Sequence, residues 1–370
     1  MYQVVVVSLN PALLSFIRKF CQEHADTWQL REFPTIGSYL AAPRQTAAID
    51  LLFLDVDSIN ASLEQKRLVC FMAPLALRVV VTNTSSPEPS LLEQLDHFHT
   101  FVGRSVDYDH LCQLFENATR VKQLPLPALS RRLLSSFLHY PVFPTLCKDI
   151  RIALNDPAVN AAKIAKVLQN DPVVVARLLQ LVNSPYMGFA SETLSLETAV
   201  SRLGLQLVQS LTLVLGLKST HQGVHAQEHQ QILDNALQAA GKARQLAKDS
   251  QLNRAIQEQV FMAVLFRGIG QLLLLQNGWP TVPMEAEPTQ LEIAADVAIA
   301  IYVLTLWGFP PSLLAPMLEQ HHWTDEQTPQ ALASNCLFLA SLTVTQWTLL
   351  PESHQLAIAQ SPFAHVLLQE

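Results

Sequence analysis

Charge is scarce in this sequence. Only 15% of its 370 residues are Asp, Glu, Lys or Arg, against 49% hydrophobic ones. A chain of that balance has enough apolar surface to bury a core, which excludes a disordered chain. What charge there is leans acidic, at −7 with a pI near 5.9. An extended nucleic-acid footprint needs a basic face to displace counterions from phosphates, so no nucleic-acid partner is expected. Paired cysteines are missing too. Cys21, Cys70, Cys112, Cys147 and Cys336 are odd in number, far apart and without Cys-x-x-Cys spacing. They read as buried thiols of a reducing compartment. There is no Gly-x-Gly-x-x-Gly, Walker loop or Gly-x-Ser-x-Gly, and no catalytic triad can be picked out. Met1-Tyr2-Gln3-Val4 has no basic n-region, and the longest apolar run, Val297 to Phe309, is too short to span a bilayer. These absences point to a soluble, cytoplasmic protein with no membrane partner.

What is present begins with the stretch from Asn170 to Pro185. Asp171 is a good helix N-cap, since its carboxylate can accept from the free N–H groups of the first turn. Pro172 at N1 loses nothing by lacking an N–H. Val174, Leu178 and Leu181 repeat at i, i+4 and i+7, with Val175, Leu179 and Val182 one step round, so most of the circumference is apolar. Asn183-Ser184-Pro185 stops the helix.

Before this stretch, residues 3 to 122 alternate short β-branched runs with amphipathic segments. Strands are expected at Val4 to Val7, Asp50 to Asp55, Arg78 to Thr82 and Phe98 to Val102, with helices opening at Pro11 and running from Asp107 to Arg120. Continuous apolar strands between helices mean a parallel sheet covered on both faces, with its ligand crevice at the strand C-termini. Leu124-Pro125-Leu126-Pro127 is the clearest linker signal. Ala128 to Tyr140 then looks like a connector helix with one apolar face. From Pro141 onward only helices are expected, at 144–154, 160–169, 172–183, 195–216, 228–249, 254–276, 290–307, 311–322, 330–348 and 352–368. The division is therefore 1–122, an α/β domain; 123–140, a connector; and 141–370, an all-α domain.

The helical part resembles the HDOD family, a non-catalytic relative of the HD phosphohydrolases. Asp171-Pro172, Leu178-Leu179 and Asn183-Ser184 match its "DP…LL…NS" helix. Pro141-Val142-Phe143-Pro144 resembles its opening "P-x-x-P", and Asn155-Asp156-Pro157 its first inter-helix turn. Ser195 to Val200 followed by Leu203-Gly204 resembles its "SL..AI..LG" helix. HD phosphohydrolases hold metal through several His residues and a His-Asp pair. Here the pair position reads Arg267-Gly268, ahead of an Ile269-Gly270 that resembles the family's "HDIG" turn. Asp296 stands where a His is usual, ahead of the landmark Trp307-Gly308-Phe309-Pro310, and Ser341 stands where an Asp is usual. Only His321-His322 survives, and adjacent residues lie about 100° apart on a helix, so the two cannot chelate one ion. The resemblance thus implies a vestigial pocket of Arg267, Gly268, Asp296, His321 and Ser341, with no catalytic residue, metal or cofactor. His221, His225 and His229 share helical spacing that can bind Zn²⁺. Gly223 interrupts them, so they read as an exposed polar turn.

The first 122 residues resemble a response-regulator receiver domain, of flavodoxin-like α/β fold. Asp55 matches the phosphoacceptor, Thr82 the hydroxyl, and Arg104-Ser105 stands at the Lys-Pro position. The acidic pair that holds Mg²⁺ is replaced by Ser8-Leu9. A hydroxyl and a Leu cannot replace two carboxylates around a hard octahedral ion, and phosphoryl transfer to Asp55 then loses its main charge neutralisation. Together the two resemblances imply a non-enzymatic bacterial signalling protein. It would act through protein–protein contacts of its helical domain, with signalling proteins as partners and a homodimer as one oligomeric option. Two alternatives stand beside this: a cyclic-dinucleotide-responsive protein or residual phosphodiesterase, and a phosphorylation-driven regulator using Asp55.

Overall fold

The computed structural model describes residues 1–43, 48–56, 62–82, 97–103, 108–124, 146–154, 158–184, 187–205, 207–208, 212, 226–276, 294–320, 323–341 and 352–364. Val142, Asp156, Pro185, Arg104, Ser105, His221, His225, His321, His322, the Leu124-Pro125-Leu126-Pro127 linker beyond its first residue and the connector helix lie outside the described residues.

The N-terminal part is a five-stranded sheet. Its strands are β1 (Tyr2–Val7), β2 (Trp28–Phe33), β3 (Leu51–Asp55), β4 (Leu77–Thr82) and β5 (Thr100–Gly103). The order is β2-β1-β3-β4-β5 with every pairing parallel. The central strands are buried from end to end because helices cover both faces. Among the described residues the covering helices are α1 (Pro11–Glu23), α2 (Ile36–Ala41), α3 (Leu63–Met72) and α4 (Tyr108–Gln123). Asn10 caps α1 by accepting from Ala12 N and Leu13 N, and α1 turns Leu13, Ile17 and Phe20 onto the sheet. The sequence reading missed β2. Trp-Gln-Leu-Arg-Glu-Phe has no continuous apolar run, because an edge strand keeps one side toward water and only Trp28 is buried in it.

The helical part comprises α5 (Leu146–Leu154), α6 (Ala161–Leu168), α7 (Pro172–Val182), α8 (Leu196–Leu203), α9 (Ala226–Asp249), α10 (Arg254–Gln276), α11 (Ala295–Leu306), α12 (Pro311–Glu319), α13 (Pro329–Ser341) and α14 (Glu352–Ala359). Helix α10 is central and packs against α7, α9, α11, α12 and α13. It is long and apolar enough to cross a membrane by length and composition, with 67% of its most apolar window buried inside the protein. A helix apolar nearly all round is what a bundle centre requires. The helix expected over 195–216 is interrupted. Gly204 takes a φ of +78°, a conformation that favours glycine, and breaks the helix after Leu203, with helical backbone resuming at Leu205. The last helix also ends sooner than expected, at Ala359 rather than 368.

The two parts meet along a seam where α4 lies against α11. Gln180 of α7 donates through Nε2 to the backbone carbonyl of His99, just before β5. Its Oε1 accepts from Arg177 Nη1 at 2.9 Å, and the Arg177 guanidinium sits 4.0 Å from the Trp307 ring centroid. Arg177 is a cation only 2% exposed, so stacking on an indole replaces part of its lost hydration.

Candidate functional site

Helix α7 shows what the sequence motif does. All eleven of its residues are buried. Asp171, itself fully buried, accepts from Val173 N at 2.9 Å and Val174 N at 3.1 Å. Pro172 occupies N1. At the other end the Asn183 amide accepts from Thr193 N and donates to Thr193 O, both at 2.9 Å. Ser184 Oγ donates to Leu181 O at 2.7 Å. These side chains are spent on closing the helix and pinning the following loop; they are scaffolding.

At the C-terminal ends of β1 and β3, where the strand order reverses, stand Ser8 and Asp55. This is where doubly wound sheets open a crevice. Asp55 is fully buried, and Ser8, 2% exposed, donates through Oγ to Asp55 Oδ2 at 2.8 Å. Ser8 Oγ also accepts from Asn10 N at 2.9 Å, which ties it to the start of α1. Thr82 lies one strand over, buried at the end of β4. Among the described residues here Asp55, already hydrogen-bonded, is the one carboxylate, and Ser8-Leu9 brings none beside it, which is a poor donor set for Mg²⁺.

The position of the His-Asp pair falls in α10. Arg267 Nε lies 2.8 Å from Asp296 Oδ2 on α11, and Gln271 Nε2 donates to the same oxygen at 3.1 Å. A cavity of about 260 Å³ opens beside the pair, lined by Asn235, Arg267, Gly268, Gln271 and Gln320 among others. Gly270 explains how α10 and α11 come so close. A Cβ there would sit 1.8 Å from the Asp296 carbonyl oxygen. Gly268 is also tight, with a Cβ 3.0 Å from the Ala236 methyl and 3.5 Å from Pro172 Cγ. The Ser341 backbone closes α13, and its side chain lies outside the described residues. Among the described residues there, a cation and an amide beside one paired carboxylate do not fit a divalent metal. Among the described residues no group of three or more His, Cys, Asp and Glu side chains converges.

Two further expectations need correction. His229 belongs to α9 rather than to an exposed turn, and burial lowers its pKa. The cysteines are not uniformly buried, since Cys112 is half-exposed. Burial pushes the Cys70 thiol up to about 11 and the Cys336 thiol to about 12, which keeps both protonated and unreactive. Sequence reasoning also missed His99. It is buried, accepts from Arg78 N through Nδ1 at 3.0 Å, and has Arg78 Nη2 2.9 Å from Nε2. Burial, then Arg78 and Arg177, hold its pKa well below 6.5. A lone His in a loop carries no pattern by which to find it.

Comparison with known proteins assigns the helical part. Residues 140–323 match the HDOD domain; the chain carries an HDOD domain over that span. It is 26% identical over 220 residues to an uncharacterized protein of Treponema pallidum (strain Nichols), covering 55% of this chain and 42% of that protein. The chain thus spans less than half the length of that relative. Among solved structures it is similar to the MmoQ response regulator of Methylococcus capsulatus (strain Bath). That match has 20% identity and a TM-score of 0.45, covering 62% of this chain and 91% of that one. A virulence factor of Campylobacter jejuni gives 16% identity and a TM-score of 0.41, covering 60% and 79%.

Proposed function

We propose that this chain is a non-catalytic regulator of signal transduction, acting in the cytoplasm through protein–protein contacts of its HDOD domain. The observation that carries the reading is the Arg267–Asp296 contact at 2.8 Å. Where the resemblance to HD phosphohydrolases places metal ligands, a guanidinium neutralises the remaining carboxylate. A divalent cation entering there would meet a fixed positive charge instead of deprotonated donors. The N-terminal sheet is read as a receiver-like, flavodoxin-type domain. Its strand order, with Asp55 at the end of β3, supports this. Ser8 in the place of the acidic pair supports a receiver that is not phosphorylated.

The test is a pull-down of the full chain from its native cell, run beside a phosphodiesterase assay with added Mn²⁺ and Fe²⁺. Co-purification of defined signalling proteins and no turnover are expected. Hydrolysis of a cyclic dinucleotide that Arg267→Ala abolishes would overturn the reading.

A further inference from the structure

The seam between the two parts encloses a cleft of about 530 Å³, a volume in the range of small-molecule sites. Its floor combines β5, α4 and the turn after α11. Gly308, with a φ of +78°, leaves this floor open. The place its Cβ would take is 3.9 Å from both Thr100 Oγ1 and Asn117 Nδ2. Thr100 is only 7% exposed and lines the cleft, yet its hydroxyl has no hydrogen-bond partner among the described residues. A buried hydroxyl left unmatched is costly, and a ligand can supply the missing bond. Asn117 spends its Oδ1 on Arg120 Nη2 at 2.6 Å, so the amide nitrogen remains as a donor.

The rim is held in advance. Asn183 pins Thr193 from both sides, and Arg202 donates to Ser191 O at 2.6 Å and Ser191 Oγ at 3.0 Å. On this rim Glu192 is exposed, and it is the one carboxylate among the lining residues. Among the described lining residues there is no Lys or Arg, and His110 is the one that can carry a positive charge, so a phosphate would find no fixed counter-charge in the cleft. Trp307 lines the same cleft and adds an aromatic surface.

We infer that this cleft binds a small planar amino-heterocycle, as the free base or its nucleoside, without a phosphate. The ligand's amino N–H groups would meet Glu192, and its ring acceptor and donor edge would meet Asn117 Nδ2 and Thr100 Oγ1. Because the lining comes from both parts of the chain, an occupant would bridge them. The site is independent of the reading of the Arg267 pocket and of Asp55.

Calorimetric titration of the full chain with adenosine and guanosine, and with AMP and GMP as phosphate-bearing controls, tests the inference. One nucleoside should bind one-to-one, with its monophosphate roughly tenfold weaker or worse, a factor worth about 1.4 kcal/mol. Thr100→Val, which keeps the shape and removes the hydroxyl, should weaken binding by about tenfold. Glu192→Gln, on the exposed rim, serves the same end without touching the core. Weakening by either substitution supports the site. No heat from either nucleoside at about 5 mM, a monophosphate that binds as tightly, or binding indifferent to both substitutions overturns it.

Discussion

Two carboxylates, one in each half of the molecule, are held in opposite ways. Asp55 at the sheet end is fully buried and receives a neutral donor, the Ser8 hydroxyl at 2.8 Å. Asp296 in the helical bundle receives a full counter-charge, Arg267, whose side chain is 37% exposed against 10% for Asp296. The first is held by geometry in a dry site, where any unmatched bond is costly. The second is held by charge near water, where screening makes each bond worth less. Burial thus raises the worth of the neutral bond to Asp55, and exposure lowers that of the charged one to Asp296.

The largest effect expected from breaking either arrangement comes from the backbone beneath Asp296. Gly270→Ala would drive a methyl to 1.8 Å from the Asp296 carbonyl oxygen. No rotamer relieves a clash with backbone, so α10 and α11 must part. A loss above about 3 kcal/mol is expected, read by denaturant unfolding. Gly268→Ala meets side-chain carbons alone, the Ala236 methyl at 3.0 Å and Pro172 Cγ at 3.5 Å, and should cost about 1 kcal/mol. Equal, small losses for both would show that the helix crossing is loose and that Arg267 and Asp296 are not held by it.

The next effect belongs to the sheet end. Ser8→Ala removes a hydrogen bond to a fully buried carboxylate, and about 2 kcal/mol of stability should go with it. The same variant restores no metal ligand, so acetyl phosphate with Mg²⁺ should leave both it and the wild type unmodified by intact mass. A labile phosphoryl adduct on the wild type, absent from Asp55→Ala, would show a working phosphoacceptor and reverse the contrast drawn above.

Much of this was legible in the sequence, and the misses have physical causes. The Asp171 cap, the Pro172 start and the Asn183 stop of α7 follow from local rules, so helix ends there fell within a residue or two. The contact of Arg267 with Asp296 could be anticipated because a guanidinium set among apolar helices seeks an acceptor and a neighbouring helix offered one. What could not be read were features fixed by the far side of a contact. The edge strand β2 depends on which neighbour it joins. The break at Gly204 depends on a backbone angle that no periodicity encodes. The cleft behind Thr100 exists only because the two halves are packed together.

His99 sharpens the comparison from the seam, where neither a carboxylate nor water relieves a titratable group. Its pKa is held well below 6.5 by burial, Arg78 and Arg177. The folded state therefore keeps His99 neutral at a pH where the unfolded chain takes up a proton. Stability contributed this way is present above pH ~6.5 and is lost as pH falls below it. One such group gives a slope of about 1.4 kcal/mol per pH unit below that point. His229, lowered by burial, adds to the slope in the same direction. Unfolding titrations between about pH 7.5 and 5.5 should show the slope shrink by one proton in His99→Gln, in the His pKa range. An unchanged slope in that variant would mean that His99 already protonates in the folded protein.

The smallest expected effect is the one at the centre of the functional reading. A double-mutant cycle of Arg267→Gln and Asp296→Asn should return a coupling of only about 0.5–1 kcal/mol. The guanidinium is more than a third exposed, so solvent screens the attraction. Gln271 also keeps one hydrogen bond to the carboxylate when Arg267 is gone. The sign of the coupling matters more than its size. If Arg267 occupies the place of a metal, Arg267→Gln should still bind no Mn²⁺ or Fe²⁺, because a single carboxylate remains. Adding Gly268→Asp to Arg267→His, which installs a His-Asp pair there, should then be the first variant to raise metal affinity. Should the double variant bind no more metal than the wild type, the pocket lacks the geometry for a metal as well as the ligands. The ion pair would then not be the barrier to metal.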